Sequence, residues 1–121
     1  EESPAFCESF GRRYIKAVPM GGDEAPASYA ARYRQAAGFL LDSHVPGGAG
    51  GSGKAFDWRA IPADLGRPLI LAGGLTAANV GEAIRRYRPW GVDVSSGVES
   101  APGIKDAQAM ATFINEVQRV Q

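Results

Sequence analysis

Two aspartates lie at apolar stretches of the sequence, where a charged side chain is unusual. Asp42 directly follows Phe39-Leu-Leu41, and Asp93 lies inside the run Val92-Asp-Val94. A carboxylate beside buried strand residues costs free energy unless it is paired, hydrogen-bonded or functional. For Asp42 the alternatives are a loop or helix cap and a general acid that keeps its proton through partial burial. For Asp93 they are a hydrogen-bonded core carboxylate and a site residue.

Two glycine-containing turns follow two further apolar runs. Gly73-Gly74 comes after residues 68–72, and Ser95-Ser96-Gly97 comes after residues 91–94. Glycine lets a turn adopt positive φ and lets the backbone approach a ligand closely. Exposed backbone N–H groups at two adjacent strand ends can together hold a phosphate. Residues 97–100 also have the length of the short extra helix that often completes such a site. The alternative for each turn is a simple strand-to-helix connection, so the pair is more informative than either turn alone.

A third glycine cluster occupies the longest predicted loop, residues 44–55. Residues 48–54 fit the pattern G-x-x-x-x-G-K of a nucleotide-binding P-loop, but Ala55 stands where that motif needs Ser or Thr to hold magnesium. The alternatives are a flexible connection and a lid that closes on a ligand. We favour the lid. His44, the only histidine, is interpreted as a loop residue because no second metal ligand lies near it in the sequence.

The segments around these residues alternate between strand and helix patterns. Short apolar runs bounded by Gly, Pro or polar residues predict strands at residues 14–18, 38–41, 68–72 and 91–94. Two of these runs are continuously apolar, which is typical of parallel strands covered on both faces. The alternation predicts an α/β fold with a parallel sheet and right-handed crossovers. It places the polar strand ends at one edge, where such folds bind ligands.

Five helices are predicted between and around the strands. The first has Ser3 and Pro4 as its start and Gly11 as its end. The second lies within residues 25–35, and a short, doubtful helix lies at 56–61. Thr76 is expected to cap the next helix, which carries Val80 and Ile84 on one face. The last helix shows the spacing i, i+3, i+4, i+7 of an amphipathic helix in Met110, Phe113, Ile114 and Val117.

Composition restricts the class of protein further. The 121 residues suit one domain, and the 13 basic and 13 acidic side chains give no net charge, which argues against a general nucleic-acid binder. No apolar run is long enough for a membrane span. The single cysteine, Cys7, cannot form an internal disulfide and is expected to pack as a small apolar residue. We therefore expect a cytoplasmic protein without nucleic-acid or membrane partners. Trp58 and Trp90 are expected to be packing residues.

Three stretches, in this order and spacing, resemble one family, phosphoribosylanthranilate isomerase. The resemblance extends from about residue 4 to residue 117. The matching stretches are Phe39-Leu-Leu-Asp42 with Gly50-Gly-Ser-Gly53 and Phe56-Asp-Trp58, Leu71-Ala-Gly-Gly-Leu75 with Asn79-Val80, and Gly91-Val-Asp-Val-Ser-Ser-Gly-Val-Glu99 with Gly103-Ile-Lys-Asp106.

The resemblance implies a (β/α)8 TIM barrel and a role in tryptophan biosynthesis. Members convert N-(5-phosphoribosyl)anthranilate into 1-(2-carboxyphenylamino)-1-deoxyribulose 5-phosphate, an Amadori aldose–ketose isomerisation that uses no metal or organic cofactor. Asp42 matches the general acid, and Asp93 matches a carboxylate near the substrate amine. The loop Gly47–Lys54 matches the mobile loop after strand six, and Gly50, Gly51 and Gly53 within it match substrate-binding residues. The phosphate cradle is matched by Gly73, Gly74, Ser96 and Gly97.

The resemblance covers only part of a barrel, which needs about 200 residues or more. Residues 1–121 are expected to be a single segment, a C-terminal half-barrel holding strands five to eight. The family's general base, a cysteine at the end of strand one, and an arginine at the end of strand two have no counterpart here. Cys7 matches the helix after strand four instead.

We therefore expect the isolated chain to be inactive and to expose core-facing side chains and two sheet edges. Its partners would be a phosphorylated small-molecule substrate and the missing N-terminal half-barrel, or another copy pairing through the open edges. Two alternatives stay open. One is a non-catalytic protein that binds a phosphorylated ligand, and the other is a P-loop-like nucleotide binder.

Overall fold

A computed structural model of the chain describes residues 2–21, 23–42, 61–62 and 64–121. Within these ranges, four strands form one sheet, and four α-helices and a small hairpin accompany it. The strands of the sheet are β1 (Ile15–Pro19), β2 (Gly38–Asp42), β3 (Leu69–Ala72) and β4 (Gly91–Val92). The helices are α1 (Pro4–Glu8), α2 (Pro26–Ala31), α3 (Val80–Tyr87) and α4 (Ala107–Arg119). A 3-10 turn (Ser96–Val98) precedes the hairpin strands β5 (Glu99–Ala101) and β6 (Ile104–Lys105).

The sheet is parallel and its strands follow chain order, β1-β2-β3-β4. All four predicted strands are present, and their bounds differ from the predicted ones by at most two residues at either end. Sequential parallel strands require a crossover between each pair. The described crossovers contain α2 and α3, whereas the doubtful helix at 56–61 falls almost entirely outside the described residues.

The two faces of the sheet differ in burial. Side chains alternate between faces along a strand, and the residues of one face, Val18, Leu41 and Leu71, are at most 1% exposed. They pack with residues of α2, α3 and α4 in one apolar core. On the other face, Ile15 is 54% exposed and Ile70 is only half-buried. The apolar runs predict a sheet that is covered on both faces. In the described residues only one face is covered.

The edges of the sheet are open as well. Strands β1 and β4 have no outer partner among the described residues. Large apolar side chains are exposed around the sheet, including Phe6, Phe10 and Trp90. Within the described ranges, the chain thus shows the expected exposed core-facing side chains and two free sheet edges. The interpretation of Trp90 as a packing residue is wrong for this chain, because its side chain is 76% exposed.

Local signals explain the first and last helices. The Ser3 hydroxyl accepts a hydrogen bond from the Phe6 amide, and Gly11 adopts positive φ after the helix, as predicted. Asp106 caps α4 by accepting from the Ala109 amide at 2.7 Å. Cys7 is half-buried against the core, as expected. Of the apolar stripe on α4, Met110 and Ile114 are exposed, Val117 is half-buried, and Phe113 is buried.

Two helices differ from their predictions. Helix α2 ends at Ala31, because Arg32 is already its C-cap, although Tyr33 still stacks on Tyr29 within the core. Helix α3 begins at Val80, and Asn79 rather than Thr76 is its N-cap residue. The Asn79 side chain accepts a hydrogen bond from the Thr76 amide, so it stabilises the turn that leads into α3.

A buried phenol offers a test of this packing. The Tyr14 hydroxyl oxygen is buried and has no hydrogen-bond partner in the part of the chain that the structure describes, and burial raises the pKa of this phenol. Because an unsatisfied buried hydroxyl costs about 1–3 kcal/mol, Tyr14→Phe is expected to keep or raise the unfolding temperature. Tyr33→Phe is the matched control. It removes a 2.8 Å hydrogen bond from the phenol to the Glu2 carbonyl, so it should lower the unfolding temperature. A lower unfolding temperature for Tyr14→Phe would contradict the conclusion that the Tyr14 hydroxyl is buried without a hydrogen-bond partner among the described residues.

No helix in the described ranges combines the length and the apolar character needed to cross a bilayer.

Candidate functional site

The carboxyl ends of the parallel strands meet at one edge of the sheet and bring the two aspartates together. Asp42 is the last residue of β2 and is half-buried, opposite Pro19 on β1 and Ala72 on β3. Val92 pairs with Leu71, so Asp93 comes level with Ala72 one residue later. The two aspartates therefore flank β3 in one row, two strand spacings or about 10 Å apart.

Asp93 lies just beyond the strand that was expected to contain it. Strand β4 ends at Val92 rather than at residue 94, and the Asp93 amide donates to the Leu71 carbonyl at 2.8 Å. Its side chain is exposed. Asp93 is thus not a buried core carboxylate in this chain, and its carboxyl group is accessible at the edge that Asp42 also reaches.

The turn after β3 needs both of its glycines. Gly73 has φ +79° and Gly74 has φ +67°, a region that side chains with a Cβ rarely adopt. The Asn79 amide donates to the Gly74 carbonyl at 2.9 Å, while its oxygen accepts from Thr76 at 2.8 Å. The glycine pair was predicted from the sequence, whereas the role of Asn79 in holding the turn was not.

The turn after β4 packs directly on the turn after β3. A Cβ built on Gly97 would overlap the Leu75 carbonyl oxygen and lie 3.1 Å from the Leu75 carbonyl carbon. Leu75 and Val98 are both buried beside this contact. The short helical turn covers residues 96–98, one to two residues before the predicted 97–100. Only glycine at position 97 lets the two turns approach this closely.

A hairpin that the sequence analysis did not predict supports the second turn. Strands β5 and β6 pair antiparallel, and Gly103 adopts φ +78° at their connection. The dipeptide Pro102-Gly103 is a turn signal that could have revealed the hairpin. The Asp106 amide donates to the Val98 carbonyl at 2.8 Å, which ties the hairpin end to the 3-10 turn.

Lys105 and Glu99 connect the hairpin to Ser95, the residue that precedes the 3-10 turn. The Lys105 ammonium donates to the Ser95 carbonyl at 3.0 Å, to the Ser95 hydroxyl at 3.3 Å and to the Glu99 carboxylate at 2.6 Å. The other Glu99 oxygen accepts from the Gly103 amide at 3.2 Å. The bond from Lys105, and then that from Gly103, hold the pKa of the Glu99 carboxyl below its usual range.

Some predicted residues cannot be placed. Gly50, Gly51 and Gly53, with the whole loop of residues 44–55, lie outside the described residues, and so does the candidate P-loop pattern at 48–54. The lid and P-loop interpretations therefore stay predictions. The described residues contain no group of three His, Cys, Asp or Glu side chains placed to hold a metal ion.

The arrangement combines two kinds of chemistry at one edge. Two glycine turns, packed on each other, present backbone at the ends of β3 and β4, which suits an anionic group such as phosphate. A half-buried carboxyl group, Asp42, ends the neighbouring strand β2, where it could exchange a proton with a bound molecule.

Comparison with known sequences connects this arrangement to one family. Residues 7–116 match the sequence model described as N-(5'phosphoribosyl)anthranilate (PRA) isomerase. The N-(5'-phosphoribosyl)anthranilate isomerase of Stenotrophomonas maltophilia (strain K279a) is 55% identical over 121 residues, which cover 98% of this chain and 56% of the relative. The chain thus spans little more than half the length of the curated relatives it matches.

Solved structures of the same family superpose on this chain. The phosphoribosyl anthranilate isomerase of Thermotoga maritima superposes with a TM-score of 0.83 at 40% identity, over 98% of this chain and 58% of that one. A second phosphoribosyl anthranilate isomerase, in complex with reduced 1-(o-carboxyphenylamino)-1-deoxyribulose 5-phosphate, gives a TM-score of 0.77 at 36% identity, over 98% and 56%.

Proposed function

This chain belongs to the N-(5'-phosphoribosyl)anthranilate isomerase family, and we propose that it supplies the general-acid and phosphate-binding half of that enzyme's active site. Its sheet is the parallel α/β half of a TIM barrel. Residues 1–121 act as one segment that corresponds to strands five to eight of the barrel. The uncovered face and the open edges of the sheet are the surfaces that the other four strands would complete.

The reaction is the isomerisation of N-(5-phosphoribosyl)anthranilate to 1-(2-carboxyphenylamino)-1-deoxyribulose 5-phosphate. An acid gives a proton to the ribose ring oxygen, the bond from C1 to that oxygen breaks, and an iminium forms between C1 and the amine nitrogen. A base then removes the proton from C2, which leaves an enolamine that tautomerises to the ketone. No redox partner is needed, because C1 is reduced as C2 is oxidised within one molecule.

Asp42 is the proposed acid. It ends a buried strand at the site edge and is half-buried, so a substrate lying across the strand ends would reach its carboxyl group. Asp93, two strands away in the same row, would face the substrate amine and stabilise its positive charge in the iminium. The base would come from the half that this chain does not include.

The observation that carries the proposal is the contact between the two glycine turns. Gly97 lies against the Leu75 carbonyl, so the backbones of the Gly73-Gly74 turn and of the Ser96–Val98 turn adjoin each other beside Asp42. The 5-phosphate would bind to Gly73, Gly74, Ser96 and Gly97. A relative crystallised with a product analogue that carries a 5-phosphate supports this ligand class. Gly50, Gly51 and Gly53 are proposed to bind the substrate as well.

The decisive experiment compares the chain alone with the chain joined to the part of the Stenotrophomonas maltophilia relative that it does not cover. We expect no conversion of N-(5-phosphoribosyl)anthranilate by the chain alone, because the base is missing, and steady turnover by the joined protein. Product formation is followed by liquid chromatography, with the relative's N-terminal part alone as the control.

Each possible result of this experiment tests a different part of the proposed function. Turnover by the chain alone would refute the proposed division of the site. A joined protein that unfolds cooperatively and binds phosphate without turnover would favour a non-catalytic phosphate-ligand-binding protein. Binding of ATP in preference to ribose 5-phosphate would favour the P-loop-like nucleotide binder.

A further inference from the structure

The ammonium group of Lys105 is fully engaged within the protein. An ammonium has three donor hydrogens, and this one has three acceptors within 3.3 Å: the Ser95 carbonyl, the Ser95 hydroxyl and the Glu99 carboxylate. Lys105 cannot bind an anion directly without giving up one of these bonds. It also forms an ion pair with Glu99 at 2.6 Å, which offsets its charge locally.

Lys105 donates to Ser95, the residue that orients the Ser96–Val98 turn. Ser95 immediately precedes the Ser96–Val98 turn, and the Val98 amide donates back to the Ser95 carbonyl at 3.3 Å. The direction of the Ser95 carbonyl therefore determines where the next peptide units, with the amides of Ser96 and Gly97, point. Glu99 completes the support, because it joins Lys105 to the Gly103 amide across the hairpin.

We propose that Lys105 and Glu99 are positioning residues for the phosphate site, and that they orient the Ser96 and Gly97 amides through Ser95. The inference rests on the proposed function, since it assumes that these amides bind the phosphate of the substrate. It adds two charged residues that act without touching the ligand.

The direction in which Glu99→Ala changes the phosphate affinity distinguishes a positioning role of Lys105 from a direct electrostatic one. If Lys105 attracted phosphate directly, removing the neighbouring carboxylate would free its charge and strengthen binding. If the pair holds the turn, Glu99→Ala weakens binding although it removes a negative charge. Lys105→Met weakens binding under both views, and Lys105→Arg, which keeps a charged donor, is expected to recover most of it.

The experiment titrates the 121-residue chain with inorganic phosphate and follows the amide signals of Ser96 and Gly97 by NMR. Both glycine turns lie within this chain, so the site does not need the other half. We expect about tenfold or greater loss of phosphate affinity for Lys105→Met and for Glu99→Ala, the loss typical of a charged hydrogen bond. Hydrogen exchange without phosphate should be faster at residues 96–98 and unchanged in α3. Arg12→Met, which removes one positive charge from an exposed residue, is the control and should bind as the wild type does.

Two results would overturn the inference, and they are distinguishable. Equal or tighter binding by Glu99→Ala, with unchanged exchange at residues 96–98, would refute positioning and leave the phosphate site intact. Wild-type amides that do not respond to phosphate would refute the proposed phosphate site itself, and this inference with it.

Discussion

Asp42→Asn in the joined protein is expected to lower kcat about 10²- to 10⁴-fold, the usual contribution of a general acid. KM should change little, because asparagine keeps the size and polarity of the side chain and loses only the proton to donate. The measurement is steady-state turnover of N-(5-phosphoribosyl)anthranilate, with phosphate affinity determined separately. Asp42 is the largest single contribution that we assign to the chemical step within this chain.

Asp64→Asn is the matched control for charge. Asp64 lies before β3, at the opposite end of the strand from the site, and its carboxylate accepts from the Gly66 amide, which an asparagine oxygen can also do. Turnover of this variant should equal that of the wild type. If Asp42→Asn kept turnover within a few-fold of the wild type, Asp42 would not be the acid. A proportional rise in KM with unchanged kcat would assign it to substrate binding instead.

Gly97→Ala is expected to disrupt the site and to destabilise the fold. The added Cβ would overlap the Leu75 carbonyl oxygen, which belongs to the backbone and cannot turn aside as a side chain could. Overpacking of this kind costs about 1–3 kcal/mol, and relief of the overlap would separate the two glycine turns. Urea unfolding should show the lost stability, and titration with inorganic phosphate should show at least tenfold weaker binding.

Gly91→Ala provides a control with the same chemical change. Gly91 lies on β4, and among the described residues a Cβ there would meet only the Ile70 side chain, at 3.8 Å, an ordinary van der Waals distance. Phosphate binding by Gly91→Ala should match that of the wild type. Wild-type stability and phosphate affinity in Gly97→Ala would show that the contact between the turns is not needed, and would remove the main support for the phosphate site.

The strands and the glycine turns could be predicted from the sequence because their signals are local. Runs such as Leu69-Ile-Leu-Ala72 are short, apolar and bounded by turn residues, and Gly73-Gly74 can adopt a conformation that few other pairs can. Position 42 was identifiable for the same reason, since a carboxylate at the end of an apolar run is conspicuous.

The features that were missed depend on contacts between residues that the pattern does not connect. The length of α2 is set by where the chain turns towards β2, and apolar spacing continues beyond the helix to Tyr33. The bond from Asn79 to the Gly74 carbonyl and the bonds from Lys105 to Ser95 appear only once the turns are folded. The packing of Gly97 on Leu75 joins two strand ends 22 residues apart in the sequence.

That contact also links the proposed phosphate site to the stability of this part of the chain. The residues proposed to hold the anion lie between positions 73 and 97, within one strand–helix–strand unit, so a single crossover of the chain forms the proposed site. A phosphorylated ligand that binds this unit favours its folded state by mass action. Under the proposed function, inorganic phosphate alone would therefore raise the free energy of unfolding of this chain.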